Sequence, residues 1–423
     1  MKRRLDINVY EAALGRIRYL YDHFDHSEVW LSLSGGKDST VCYHLMREVC
    51  DERGIDPINI LMIDLEGHYR LHVDFMDTLV KDKRVKGYWL CLPFNLSNAS
   101  SFHEPKWLCW DQSQRDKWIR EMPTNRLVVS MDTHPFGDHF RLGMEFEEFI
   151  VEFPRYLIEQ GASKVGQVIG IRADESYNRY LKMAVRENRE FYEGHQWILK
   201  QKVTKQETYS VHPIYDWTTA DVWRYLKDKP YTSVYDKMYL AGYPLGNMRI
   251  CQPYGEEQRD NIDLFAKIEP ETWSRMTERV LGGNFAKLYR GKNVIKGKVS
   301  PPDGVTWQSW ARLILATMPP YLRDHYIRRI NVFLRWWRKE LYGDIAHVYT
   351  KELADNEKLD GEGVYIVEIP DEDPRDKKKE CPSWRRIAKV LVKGDYLCKN
   401  LTFQQNQHEY EKLESLKSKH QLQ

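Results

Sequence analysis

The sequence predicts an α/β fold, a parallel sheet with helices on both faces, followed by an α-rich C-terminal region. Two patterns carry that expectation. In the first half of the chain, short apolar runs such as Val29-Trp30-Leu31 and 58–65 alternate with amphipathic stretches of helical period. That rhythm builds parallel sheets from β-α-β units rather than sandwiches. In the second half helical periods dominate, at 256–268, 271–280 and 307–342, with breaks at Pro301-Pro302 and Pro319-Pro320.

Taken in order, 9–23 reads as a helix and 28–34 as a buried strand. The strand runs into Gly35 and Gly36 and then into an amphipathic helix that starts near Asp38 or Ser39. A second strand follows Gly54 and Pro57 at 58–65, then a helix over 71–81 and a third strand at 88–92. From Asn95 to about His139 the rhythm breaks around Pro105, Pro123, Pro135 and three tryptophans, the signature of an inserted, partly helical excursion. It resumes with a helix at 146–160, a strand at 165–171, a charged helical stretch at 175–193, a strand at 208–214 and a helix at 219–227. Near the C-terminus 363–369 reads as a strand, 371–380 as a charged run, and 382–392 as a basic helix ending at a capping Gly394. The expected organisation is a nucleotide-binding α/β domain over 1–250 with its insertion at about 95–140, a helical domain over 251–350, and a C-terminal extension over 351–423.

Composition narrows the partners. With 42% hydrophobic residues the chain can bury a large core, and 64 Lys plus Arg against 62 Asp plus Glu leave a net charge of +2. No global field therefore marks a nucleic-acid or membrane protein. Seven widely spaced cysteines form no disulfide framework, no apolar run approaches 18 residues, and the basic N-terminus lacks an apolar segment behind it. A cytoplasmic protein without membrane contact is expected. His103, Cys109, His134 and His139 match no zinc spacing and read as decoration of the insertion.

The sharpest chemical signal is Ser34-Gly35-Gly36-Lys37-Asp38-Ser39-Thr40 between a strand and a helix. Paired glycines let backbone N–H groups approach a ligand, the helix offers its positive end to phosphate, and Ser34, Ser39, Thr40 and Lys37 add donors. A Walker A loop is excluded by Leu31 and Asp38 at its diagnostic positions. Asp64 and Glu66 follow the second strand, where acids in doubly wound folds meet a ribose or an adenine edge; a plain polar strand exit is equally compatible. Arg172 and Arg179 suit phosphate or sulfate oxygens, and Asp174 and Glu175 suit orienting an arginine or holding Mg²⁺ beside a polyphosphate. The competing reading of Glu175 and Arg179 is an i,i+4 pair on a solvated helix. The 217–223 block reads as scaffold, with Asp216 or Thr218 capping a helix whose Val222 and Leu226 face the core.

The S-G-G-K-D-S loop resembles the pyrophosphate loop of the PP-loop ATP pyrophosphatase superfamily. Together with Gly170-Ile171-Arg172-Ala173-Asp174-Glu175-Ser176 and 213–223, it resembles the phosphoadenosine phosphosulfate (PAPS) reductase-like proteins over roughly 28–255. The segment 382–399 extends the likeness to the long IbrA and YbdN type. The resemblance implies a Rossmann-like, adenine nucleotide alpha hydrolase-like sheet, ATP or PAPS with Mg²⁺ as ligands, and a ParB-like protein partner. It implies binding by Ser34, Gly35, Gly36, Lys37, Asp38, Ser39, Thr40, Asp64, Glu66, Arg172, Asp174, Glu175, Ser176 and Arg179. Catalytic roles fall to Lys37, Asp38 and Arg172, and metal contacts to Asp38, Asp174 and Glu175.

The chain departs from the reductases at their redox centre. It has no C-x-x-C, Cys381 lies in KKKECPSW, and Cys251 stands alone where relatives carry a paired element. No iron-sulfur cluster is expected, and thiol-dependent reduction is disfavoured. The expected chemistry is cleavage of ATP between the α and β phosphates. Its rivals are a nucleotide sensor or adaptor without turnover and a PAPS-dependent sulfotransferase-like enzyme. The arginines and aromatics of 321–338 suit a nucleic-acid-contacting helix, but an amphipathic helix with buried aromatics is the preferred reading.

Overall fold

The computed structural model describes residues 6–98, 100–101, 104, 106–175, 179–180, 190–201, 206–250, 254–255, 262–282, 300–342, 369–378, 381–396 and 398–401. The chain divides into two compact units, Met1–Leu96 with Lys106–Val280, and Ser97–Pro105 with Leu281–Gln423.

In chain order the strands are β1 (Val29–Ser32), β2 (Ile58–Ile63), β3 (Val85–Leu90), β4 (Asn95–Ser97), β5 (Lys106–Leu108), β6 (Val128–Val129), β7 (Val165–Val168), β8 (Ile198–Lys200) and β9 (Thr208–Val211). The short β4 and β5 pair with each other, and the other seven form one sheet in the order β6-β3-β2-β1-β7-β9-β8. Every neighbouring pair in it is parallel except β8 with β9. Strands β7 and β9 are buried along their whole length, their polar Gln167 and Ser210 included, because sheet neighbours and helices cover them on both sides. Chain order reverses at β1, with β2 on one side and β7 on the other, so a crevice opens at the carboxyl ends of β1 and β7.

The helices of this unit are α1 (Val9–His23), α2 (Lys37–Arg53), α3 (Arg70–Val80), α4 (Phe146–Glu159), α5 (Thr219–Leu226), α6 (Val234–Leu240), α7 (Ile262–Ile268) and α8 (Pro270–Arg279). They cover both faces of the sheet. A side chain at Gly166 on β7 would meet Leu20 of α1 and Phe24 just after it at 3.2 and 3.3 Å. Trp30 on β1, in register with Gln167 and so on the opposite pleat, packs edge-on against Phe153 of α4 at 5.0 Å between centroids. The expected scaffold block is in place: Thr218 caps α5 in a reciprocal box with Asp221, and Val222 and Leu226 are buried. Asp216 instead forms a two-pronged pair with Arg16, at 2.8 and 2.6 Å.

Four details differ from the sequence expectation. The edge strand β8 runs antiparallel, and its three residues are too short to show a period. Among its described residues the insertion holds short strands and 3-10 turns but no α-helix, and it lends β6 to the sheet edge. Helix α2 begins at Lys37, because Gly36 takes the extended N-cap conformation. Helix α6 was not foreseen. The stretch 175–193 lies largely outside the described residues, and the strand expected at 363–369 lies outside them except for Ile369.

The second unit holds α9 (Trp307–Thr317), α10 (Pro320–Tyr342) and α11 (Trp384–Lys393). Leu315, Leu322, Tyr326, Ile330, Phe333, Ile387 and Leu391 meet in one core. Two of the aromatics that suited nucleic acid, Tyr326 and Phe333, are therefore packed inside, each 1% exposed. Asp371, from the charged run, accepts from the Trp307 and Gln308 amides at the start of α9, at 3.0 and 2.9 Å. Ser383 caps α11, and Gly394 ends it in the left-handed conformation. Among the described residues no helix is long and apolar enough to cross a membrane.

Candidate functional site

The glycine loop leaves β1 and enters α2 at the switch point. Gly35 has φ +67°, a conformation that favours glycine, and a side chain there would sit 2.3 Å from His72 Cε1 and 2.4 Å from Met76 Sδ and have to displace them. The loop hydroxyls brace it from within: Ser34 and Ser39 oxygens lie 3.0 Å apart, Ser39 donates to the Gly36 carbonyl at 3.1 Å, and Thr40 to the Gly35 carbonyl at 3.3 Å. Gly36, the N-cap, supplies no side-chain acceptor for the first turn of α2.

The exit of β7 lies against this helix start. At Gly170 a Cβ would meet the Asp38 carbonyl carbon at 2.8 Å and the Ser39 nitrogen at 2.9 Å. That approach brings Arg172 into the crevice, where its Nε donates to Asp38 Oδ1 at 2.6 Å and its Nη1 lies 3.4 Å from the Trp217 carbonyl. Asp38 Oδ2 accepts from Lys37 Nζ at 3.1 Å. Lys37 and Arg172 are 4% and 2% exposed. Burial pushes the Lys37 ammonium below its ordinary pKa; Asp38 opposes that shift, and the charges of Arg172 and Arg249 add to it. Asp38 is thus shared by two buried cations at a helix N-terminus, an arrangement suited to an anion.

The structure brings Lys37, Asp38 and Arg172 together as the sequence implied. Asp174 lies 3.7 Å from Arg172 Nη1, and its Oδ2 accepts from the Thr219 amide at 3.3 Å. Glu175 forms the i,i+4 pair with Arg179 and accepts from the Arg172 amide at 3.4 Å. Ser176 lies outside the described residues. Asp38, Asp174 and Glu175 are each already engaged with Lys or Arg. Among the described residues no three His, Cys, Asp or Glu side chains gather in a metal-holding arrangement. This donor set fits an anion rather than a protein-held Mg²⁺, so the three residues expected as metal ligands act here as counter-charges.

Asp64 and Glu66 engage other partners. Both are 0% exposed. Asp64 accepts from Trp89 Nε1 at 2.7 Å and pairs with Arg120. Burial by itself would raise the Asp64 carboxyl, but Arg120 and its other donors hold it below the ordinary range. Glu66, at φ +64°, accepts from the Trp110 and Ile119 amides at 2.6 and 3.0 Å and from Arg279 Nε at 3.2 Å. Burial raises its carboxyl, against the pull of Arg279. In this structure the two acids expected at a ribose or adenine edge instead tie β2 to the insertion and to α8. Next to them His68 and His72 are buried and neutral, with pKa values lowered by burial from 6.5 to about 4 and about 3.

Sequence reasoning missed one wall of the crevice. Tyr235 on α6 accepts from the Lys37 amide at 2.8 Å, and the Met248 carbonyl accepts from Lys37 Nζ at 3.3 Å. No local motif marks either residue; only the return of the chain after α5 brings them to the loop. The buried thiols of Cys42, Cys91 and Cys109 are all raised by burial, which leaves them poor nucleophiles. Cys251 lies outside the described residues.

Residues 242–412 match a domain of unknown function (DUF3440), which takes in most of the second unit. The uncharacterized protein YbdN of Escherichia coli K12 is 32% identical over 409 residues, covering 94% of this chain and 91% of that one. Among solved structures, the chain is similar to FMN adenylyltransferase of Candida glabrata, at 16% identity and a TM-score of 0.32 over 54% of this chain and 57% of that one. It is also similar to phosphoadenylyl-sulfate reductase of Candida auris, at 13% identity and a TM-score of 0.29 over 56% and 87%. Residues 28–249, which hold the glycine loop, Arg172 and the whole seven-stranded sheet, match the phosphoadenosine phosphosulfate reductase domain, and the chain belongs to that family.

Proposed function

We propose that the chain binds an adenine nucleotide by its phosphates at the loop Ser34 to Thr40 and cleaves it between the α and β phosphates. The observation that carries this reading is the convergence of Lys37, Arg172 and the N-terminus of α2 on one carboxylate at the switch point. In the step, a water or acceptor oxygen attacks the α phosphorus, the bond from that phosphorus to the bridging oxygen breaks, and pyrophosphate leaves with the electron pair. Lys37 and the loop amides neutralise the charge that grows on the leaving group. Arg172, fixed by Asp38, positions the distal phosphates or the acceptor. Asp38 orients the two cations and holds no metal in this reading. A ParB-like partner, as the resemblance implies, would supply or carry the acceptor.

A second reading, a sensor that binds ATP or PAPS without turnover, draws support from the deep burial of Lys37. Incubation of the purified chain with ATP or PAPS and Mg²⁺, followed by chromatography of the products, separates the two. AMP with pyrophosphate, lost in Lys37→Ala with the fold retained, is the expected result. Unchanged ATP with measurable binding selects the sensor, and adenosine 3′,5′-bisphosphate from PAPS selects sulfur transfer. Turnover retained in Lys37→Ala removes the loop from the chemistry.

A further inference from the structure

The donors that the proposed reading assigns to a phosphate already have protein acceptors, and both acceptors come from one segment. The Lys37 N–H, at the open end of α2, donates to the Tyr235 hydroxyl at 2.8 Å. Lys37 Nζ donates to the Met248 carbonyl at 3.3 Å. Tyr235 is 2% exposed and lies close over the loop: its hydroxyl would be 3.6 Å from a Cβ at Gly36. Its ring packs edge-on against Trp223 of α5 at 5.2 Å, and Val234 and Met238 anchor the inner face of α6 at 0% exposure. The outer side of the same segment is open, with Tyr239 64% and Leu240 83% exposed.

A phenol and a carbonyl are weak occupants of such a place. Lys37 and Arg172 share Asp38, and an anionic phosphate oxygen accepts from an N–H or an ammonium more strongly than a neutral oxygen does. We infer that residues 231–249 form a strap whose Tyr235 hydroxyl and Met248 carbonyl compete with a pyrophosphate-bearing ligand for the same donors, and that the ligand displaces them on binding. The inference rests on the reading of the loop as a phosphate seat. It adds that affinity at this seat is set against the strap, so anything that lifts α6 raises it.

Tyr235→Phe tests the strap, because it deletes the competing hydroxyl and keeps the ring against Trp223. The full chain, its Tyr235→Phe variant and its Lys37→Ala variant are titrated calorimetrically with inorganic pyrophosphate, and hydrogen exchange across 231–249 is followed with and without it. Tyr235→Phe should bind about three- to tenfold more tightly, the worth of one buried hydrogen bond that no longer has to be broken. Pyrophosphate should also speed exchange across 231–249 in the wild type. Equal or weaker binding by the variant, or unchanged exchange, overturns the strap. If the wild type binds, Lys37→Ala binds about tenfold or more weakly, and Tyr235→Phe is indistinguishable from wild type, only the strap falls. If neither wild type nor Tyr235→Phe binds while both remain folded, the phosphate seat falls and the strap with it.

Discussion

Two strand exits in the same sheet carry acids paired with arginines, and they differ in charge balance. At the ends of β1 and β7, Asp38 is shared between Lys37 and Arg172 at a helix N-terminus, with Asp174 3.7 Å from Arg172 on its other side. At the end of β2, Asp64 is matched by Arg120 and Glu66 by Arg279, one for one, and backbone and indole N–H groups take the remaining oxygens. A balanced buried pair needs nothing further and serves as a tie between segments. A carboxylate shared by two buried cations leaves neither fully matched, and that imbalance is why the proposed ligand seat is placed at the first exit.

Substitutions can break this contrast, and the largest effect belongs to the balanced side. Glu66→Ala strands Arg279, which is 8% exposed, and should lower the unfolding free energy by about 3–5 kcal/mol in chemical denaturation. A loss comparable to an ordinary surface change would show that the pair is not a structural tie. On the shared side Lys37→Ala should leave the denaturation midpoint near wild type and weaken pyrophosphate binding by about tenfold to a hundredfold, the value of a charge-assisted contact.

The balanced side should also be the acid-sensitive one. His68 and His72 have pKa values of about 4 and about 3 in the fold against 6.5 when exposed. The unfolded chain therefore binds more protons between those values, and stability that is full above pH 6.5 is lost progressively as pH falls toward 3. A urea midpoint that stays flat from pH 7 to 4 would contradict neutral buried imidazoles. The smallest effect sharpens the geometry of the seat. Arg172→Lys keeps the charge but loses the 2.6 Å Nε contact to Asp38, and pyrophosphate affinity should fall by about tenfold or less, with unchanged stability.

Much of this was legible in the residues. The glycine pair between an apolar run and a helical period placed the loop, and Gly170 with Arg172 at the end of a later strand placed its counterpart across the switch point. The contrast between the two exits was not legible. Asp64 and Glu66 look like ligand-facing acids in a doubly wound fold, and nothing near them in sequence announces Arg120 or Arg279. Arg179 looked like a phosphate ligand, yet an acid four residues before it, Glu175, gave the alternative that the structure adopts. The antiparallel β8 and the sheet-edge β6 were invisible because strands of three and two residues show no period.

By itself the sequence determined the alternation of the main strands and helices, the loop between β1 and α2, and the helices of the second unit with the Gly394 stop of the last one. These depend on local causes: side-chain period, glycine conformational freedom, and acceptors within a few residues of a helix start. Only the tertiary structure decided which charges are matched one for one and which are shared. The Arg172 partner of Asp38 lies 134 residues away, the Tyr235 partner of Lys37 198 away, and the Arg279 partner of Glu66 213 away. Charge balance in a buried place is a sum over everything that packs there, and chain order at such separations carries no record of that sum until the sheet has formed.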